Sequence, residues 1–198
     1  MTRRYPFFPV ALGCLLLAGC HEAAPEATAA PAASPAKDAA RTARRQVKTA
    51  QDADAGGIDP TVKATTIEEI TAQKLPGGDL GKRVAPFETS VWKADATIKS
   101  IELKKDGDFY LVLNGDKGGQ TVMEVPDPAL CKDSRFKDQI AATRKALEEK
   151  YHPTSDPKEL NDRATVTGVG FLGWGANGKG AKGKSGPRIM PGMGIEFK

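Results

Sequence analysis

Residues 91–125 read VWKADATIKSIELKKDGDFYLVLNGDKGGQTVMEV, and the fold is decided there. Residues 91–103 are rich in β-branched side chains, and Ala96, Ile98 and Ser100 alternate with Thr97, Lys99 and Ile101 as in a half-buried strand. Lys104, Lys105, Asp106, Gly107 and Asp108 supply a turn, and residues 109–113 a second strand. Asn114, Gly115, Asp116, Lys117, Gly118 and Gly119 close that strand. A third runs over 121–125 until Pro126 and Pro128, which have no amide hydrogen to give a central ladder. Two close hairpins in series make a three-stranded meander.

Working outward, residues 134–151 place Phe136, Ile140, Thr143, Leu147 and Tyr151 on one helical face. Lys137, Asp138, Arg144, Lys145, Glu148 and Glu149 occupy the rest, and His152 and Pro153 end the helix. A fourth strand is expected over 164–174, with Val166 and Val169, and a fifth over 195–197. Three strands, one long helix and two strands are the order of the OB-fold, a mainly β, five-stranded Greek-key barrel with its helix between strands three and four. An SH3-like barrel has no long helix at that place, and a lipocalin needs eight strands. Gly168 and Gly170 suit a bulge where the fourth strand bends.

Ahead of this domain the chain changes character. Arg3 and Arg4 precede an apolar run from Phe7 to Ala18 that is short for a membrane span. The run ends in Leu17, Ala18, Gly19 and Cys20, which reads as an export signal over 1–19. Its ending resembles the bacterial lipobox, which implies lipidation of Cys20 and attachment to the membrane by anchor. Buried methylenes contribute about 0.8 kcal/mol each, so two or three acyl chains hold essentially for good. His21 rather than Asp after that cysteine implies, in a Gram-negative host, the outer membrane with the domain facing the periplasm.

The whole chain has 198 residues, 29 Lys and Arg, 25 Asp and Glu and a formal charge of +4. A length of this order allows one ordinary domain with extras. So balanced a charge does not announce a nucleic-acid binder, and the expected location argues against nucleic acid as the natural partner. Residues 20–57 are Ala-rich, with Pro25, Pro31 and Pro35 and almost no large apolar side chain, so a disordered tether is expected, within which the proline-free stretch 36–55 permits a transient helix. Residues 58–90 follow as a short helix and connecting arm, in which Thr66, Ile67, Glu68 and Glu69 read as a capping box. The barrel is expected over 91–198.

Three stretches in this domain look like a group of uncharacterised bacterial exported proteins. They are Thr121, Val122, Met123, Glu124, Val125, Pro126, Asp127, Pro128, Ala129, Leu130 and Cys131; Thr165, Val166, Thr167, Gly168, Val169, Gly170 and Phe171; and Gly194, Ile195, Glu196 and Phe197. The resemblance covers over half the chain. It implies an exported OB-like domain and no catalytic residue.

For function, Gly173 to Arg188 holds six glycines with Lys179, Lys182, Lys184 and Arg188, no acid, and Trp174 at its edge. On an OB-fold this is the loop between strands four and five, a rim used for oligonucleotides or oligosaccharides. Lys104 and Lys105 are expected on the same rim. A basic loop beside an aromatic suits an anionic envelope glycan or an acidic protein surface. The expectation is therefore a non-enzymatic, membrane-anchored binding lipoprotein that needs no cofactor or metal. An envelope hydrolase, nuclease-like and driven by Asp106, Asp108 and Glu124, is the first alternative. An immunity or assembly protein using Phe109, Tyr110, Phe171 and Trp174 on the sheet face is the second. Cys131 and His152 fit no nucleophile spacing, and Asp106, Asp108, Asn114 and Asp116 read as hairpin turns before calcium loops.

Overall fold

The computed structural model describes residues 35–74, 82–173 and 186–198, all within the unit Ala33–Lys198. In chain order its elements are α1 (Pro35–Lys48), β1 (Asp59–Ala64), α2 (Ile67–Thr71), β2 (Ser90–Leu103), β3 (Phe109–Asn114), β4 (Gln120–Val125), α3 (Lys137–Tyr151), β5 (Lys158–Leu172) and β6 (Pro187–Phe197). Short 3₁₀ turns at Ala53–Gly57, Phe87–Thr89 and Pro128–Leu130 join them.

The molecule is mainly β, and the meander forms where the alternating residues place it. β2 pairs antiparallel with β3, and β3 with β4. One detail of the alternation differs from expectation. The register of β2 shifts between Ile98 and Ser100 against both β3 and β5, so Ile98 and Ile101 both point inward while Ser100 is half-buried. A bulge of this kind adds one residue and bends a strand, which flips the faces beyond it.

The strands lie in the order β1-β2-β3-β4-β6-β5, and β5 also pairs with β2. Five strands therefore pair in a closed circuit, with α3 inserted between β4 and β5. Six strands are present rather than five, because β1 adds itself parallel to β2 from Val62 to Ala64. Its sequence, DPTVKA, has one proline and one large apolar residue, so only its partner reveals it as a strand. The last two strands are also longer than expected. β5 begins at Lys158, and β6 holds eleven residues, Pro191, Gly192 and Gly194 among them. Gly168 does sit at register shifts between β5 and β6, and a Cβ on Gly170 would run into the Phe87 carbonyl.

One apolar core fills the circuit. Ala96, Ile98 and Ile101 meet Phe109, Leu111, Leu113, Met123, Val125, Val166, Val169 and Ile189, and Phe136, Ile140, Leu147 and Tyr151 of the α3 side close it. Each side chain of this size contributes about 1.5–3 kcal/mol on burial. Ahead of the barrel, the capping box at α2 forms as expected: the Glu69 amide donates to Thr66 Oγ1 and the Thr66 amide to Glu69 Oε2.

The stretch expected as tether and arm is corrected most. From Pro35 the chain is helical, and Val47, Ala50, Ala55 and Ile58 are buried. Arg44 is only 2% exposed. The N-terminal part of the expected tether, residues 20–34, lies outside the described residues, as do the signal segment and Cys20.

Candidate functional site

β3 and β4 bring Tyr110 and Glu124 into register as direct neighbours, with side chains on the outer face of the circuit. Period-two alternation makes this unavoidable, since Phe109, Leu111 and Leu113 take the inner face. β6 runs beside β4 through Met123 and Ile189, which sets Arg188 against the same patch. Arg188 Nη1 donates to Glu124 Oε1 at 2.8 Å, and its guanidinium lies 5.9 Å from the Tyr110 ring centre. Lys104 Nζ stands 4.5 Å over the same ring while donating to Glu102 Oε2 at 2.5 Å.

Tyr110 thus forms a shared wall between two clefts. One, of about 570 Å³, is lined by Glu102, Lys104, Lys105, Asp106, Glu124 and Ser155 among others. The other, of about 240 Å³, is lined by Val112, Gln120, Thr121, Val122, Gly186 and Arg188 among others. With Tyr110 common to both and polar groups of both signs among their linings, the two clefts together are the Tyr110 trough.

The expected rim residues fall into three groups. Lys104 and Lys105 lie in the β2–β3 turn and line the larger cleft, Lys105 exposed. Arg188, expected in the basic rim loop between strands four and five, is instead a buried strand residue of β6 tied to Glu124. Its neighbours Ser185, Gly186 and Pro187 read locally as a turn, which hid the strand. Trp174, Lys179, Lys182 and Lys184 lie outside the described residues. The ends of their segment are placed, and Gly186 lines the smaller cleft.

Behind the larger cleft sits a charge cluster in which α1 takes part. Lys48 Nζ pairs with Glu124 Oε2 at 2.6 Å, with Asp108 Oδ2, and with Asp106 Oδ2 at 3.5 Å. Burial alone would lower the Lys48 ammonium, yet the carboxylates of Glu124 and Asp108 outweigh it and hold it well above the ordinary lysine value. Burial pushes the Asp108 carboxyl above its usual range, with Lys48 opposing and the Asp127 amide donating to Oδ1 at 3.0 Å. The three acids named for a hydrolase, Asp106, Asp108 and Glu124, are therefore brought together, but around an ammonium that belongs to the same chain.

Other candidates are placed as follows. Phe109 is in the core and Phe171 is fully buried, packed with Val47 and Met190 under α1, so neither offers a recognition face. Of the aromatics named for the sheet face, Tyr110 alone among the described residues is on the surface. Cys131 is buried, and its thiol is pushed up to about 12 by burial, then by the charges of Asp108 and Asp127, which is the reverse of nucleophile activation. Lys104, Gly107 and Asp108 close a hairpin turn, with Gly107 at φ 87. Sequence reasoning missed Lys48 and Arg44. Their only signal is the spacing of Arg44, Val47 and Lys48 on one helical face, in which two of three members are charged.

No protein-family model matches the chain, and no curated protein matches it.

Proposed function

We propose that the chain is a membrane-anchored, non-enzymatic binding lipoprotein of the cell envelope, and that its barrel is an OB-like module for an anionic glycan. The ending Leu17, Ala18, Gly19, Cys20 supports the anchor, and His21 supports an outer-membrane, periplasm-facing location in a Gram-negative host. The closed five-strand circuit with α3 between its third and fourth strands supports the OB reading.

The observation that carries the ligand is Tyr110, which lines two clefts and has Lys104 and Arg188 close to its ring. A flat apolar ring flanked by fixed polar groups suits a sugar ring, which stacks its C–H face and hydrogen-bonds by its edge. Lys105 and the basic stretch that rejoins the fold at Gly186 add the charge preference. Lys104 and Arg188 already have acidic partners, so on this reading they orient the ligand and the loop lysines Lys179, Lys182 and Lys184 attract it. The hydrolase alternative is weaker because Asp108 and Glu124 are nearly buried and engaged by Lys48.

Calorimetric titration of the full chain with tetragalacturonate, and with uncharged maltotetraose as control, tests this. Binding of the charged sugar should weaken as salt rises. Tyr110→Ala should reduce it by about tenfold or more, since the loss of a ring's buried apolar area costs roughly 1.5–3 kcal/mol. Equal binding of both sugars, or no effect of Tyr110→Ala, overturns the reading.

A further inference from the structure

One buried cation, Arg44, and one half-buried cation, Lys48, fasten α1 to the barrel, and they do so at different places. Arg44 donates through Nη1 to Glu88 Oε2 at 3.2 Å, through Nη2 to Glu88 Oε1, and to the Leu172 carbonyl. Glu88 is itself held by the Val84 amide at 2.8 Å and the Leu172 amide at 2.7 Å. One turn further on, Lys48 enters the Asp106, Asp108 and Glu124 cluster. Between them Val47 makes a small apolar contact with Phe171 and Met190, separate from the main core.

Just beyond the helix the chain is fixed by other means. Gln51 Nε2 donates to the Leu130 carbonyl at 2.6 Å, and the Asp133 amide donates to Gln51 Oε1 at 3.2 Å. Arg83 grips Asp52 and also donates through Nη2 to the Val47 carbonyl of α1 at 3.1 Å, and Ile58 joins the main core. Between this fixed point and α1 lies Ala50, at φ 51 in the left-handed region that favours glycine. Ala50 closes α1 as a left-handed cap, with the Gln51 amide donating to the Gln46 carbonyl at 2.9 Å, and it joins the main core, so α1 is a strap rooted at its C-terminal end and seated by charge before it.

The strap reaches the trough through one residue. Glu124 lines the larger cleft and offers Oε2 to Lys48 and Oε1 to Arg188, which stands beside Tyr110. With α1 seated, the carboxylates of Glu102, Asp106, Asp108 and Glu124 are matched by Lys104, Lys105, Arg188 and Lys48. Removing Lys48 leaves an excess of negative charge around the cleft.

We propose that α1 is a detachable strap whose Lys48 sets the charge of the Tyr110 trough, so that seating of the strap and binding of an anionic sugar favour each other. Lys48 is a positioning residue here, acting on the trough through Glu124. Coupling between two sites is reciprocal, so a bound anion holds the strap down by the same factor that the strap strengthens the anion. The ligand half of this rests on the function proposed above, whereas the strap itself does not.

Amide hydrogen exchange and amide NMR spectra of the full chain test it, with Arg44→Met and Lys48→Met against the exposed control Arg45→Met. Exchange over residues 42–48 should quicken by roughly tenfold in the first two while β2 and β5 amides keep their protection. The Tyr110, Lys104 and Gln120 amides should shift without any ligand present. Tetragalacturonate should bind Lys48→Met about fivefold more weakly or worse. Should Arg44→Met leave too little folded protein, with Glu88 buried and unmatched, Lys48→Met carries the same readings. Loss of protection in α1 and the strands together, or an α1 that does not respond, overturns the strap. Unchanged Tyr110 amides, or unchanged affinity in a protein whose strap has opened, overturns the coupling. If the wild type binds no tetragalacturonate, the glycan reading fails, while exchange and shifts still decide the strap.

Discussion

The barrel and the helix laid against it are held by different forces. Inside the circuit, Ile98, Leu111, Met123, Val166 and Ile189 interlock as apolar volume. Under α1, one valine is accompanied by two cations with their acids. Apolar burial is non-directional and cumulative, so the barrel behaves as a unit. Buried ion pairs are directional and carry a desolvation cost, so they specify a seat without adding much stability. The comparison teaches where this molecule can open: at the element held by charge, beside the trough.

The largest expected effect lies in the barrel. Leu111 is fully buried in the core, so Leu111→Ala leaves a cavity and should lower unfolding free energy by about 2–5 kcal/mol in urea titrations. A value near zero would break the contrast, because Leu111 would then not be part of a close-packed core. Gly170→Ala comes next, since its Cβ would meet the Phe87 carbonyl, and overpacking of this kind costs about 1–3 kcal/mol. Thr66→Ala removes the side-chain half of the α2 capping box and should cost about 1 kcal/mol, read by the same titration.

The smallest effect concerns surface charge. Lys198 and then Thr165 hold the Asp95 carboxyl below its ordinary value. A carboxylate lowered in the folded state stabilises above its unfolded value, and that contribution disappears as pH falls through the lowered one. Below about pH 4 the stability of Asp95→Asn should therefore fall less steeply with acid than that of the wild type. Parallel curves would show that Asp95 does not report the fold.

How legible the molecule was follows from the same contrast. Where apolar residues repeat with a period of two or 3.6, as in β3 and along Phe136, Ile140, Thr143, Leu147 and Tyr151, the sequence reads correctly. β1 and the first half of β6 escape because proline and glycine break the local signal, and only pairing with β2, β4 and β5 makes them strands. The seating of α1 escapes because its inward face sets Val47 between Arg44 and Lys48, whose acids are far away in sequence. Within the candidate site, Lys104 and Lys105 could be placed from the turn that carries them. Tyr110 could be read as a sheet-face residue, but its role depends on Glu124 opposite it and on Arg188 of another strand, neither of which is local. For that reason Arg188 reads as a loop cation in the sequence and is a strand residue in the fold.

The most direct test of the account is an amide NMR titration of the full chain with tetragalacturonate at low and high salt. The account expects shifts at Lys104, Tyr110, Gln120 and Arg188, on both sides of the shared wall, that shrink as salt rises. Shifts confined to other surfaces, or none at these four residues, would contradict it.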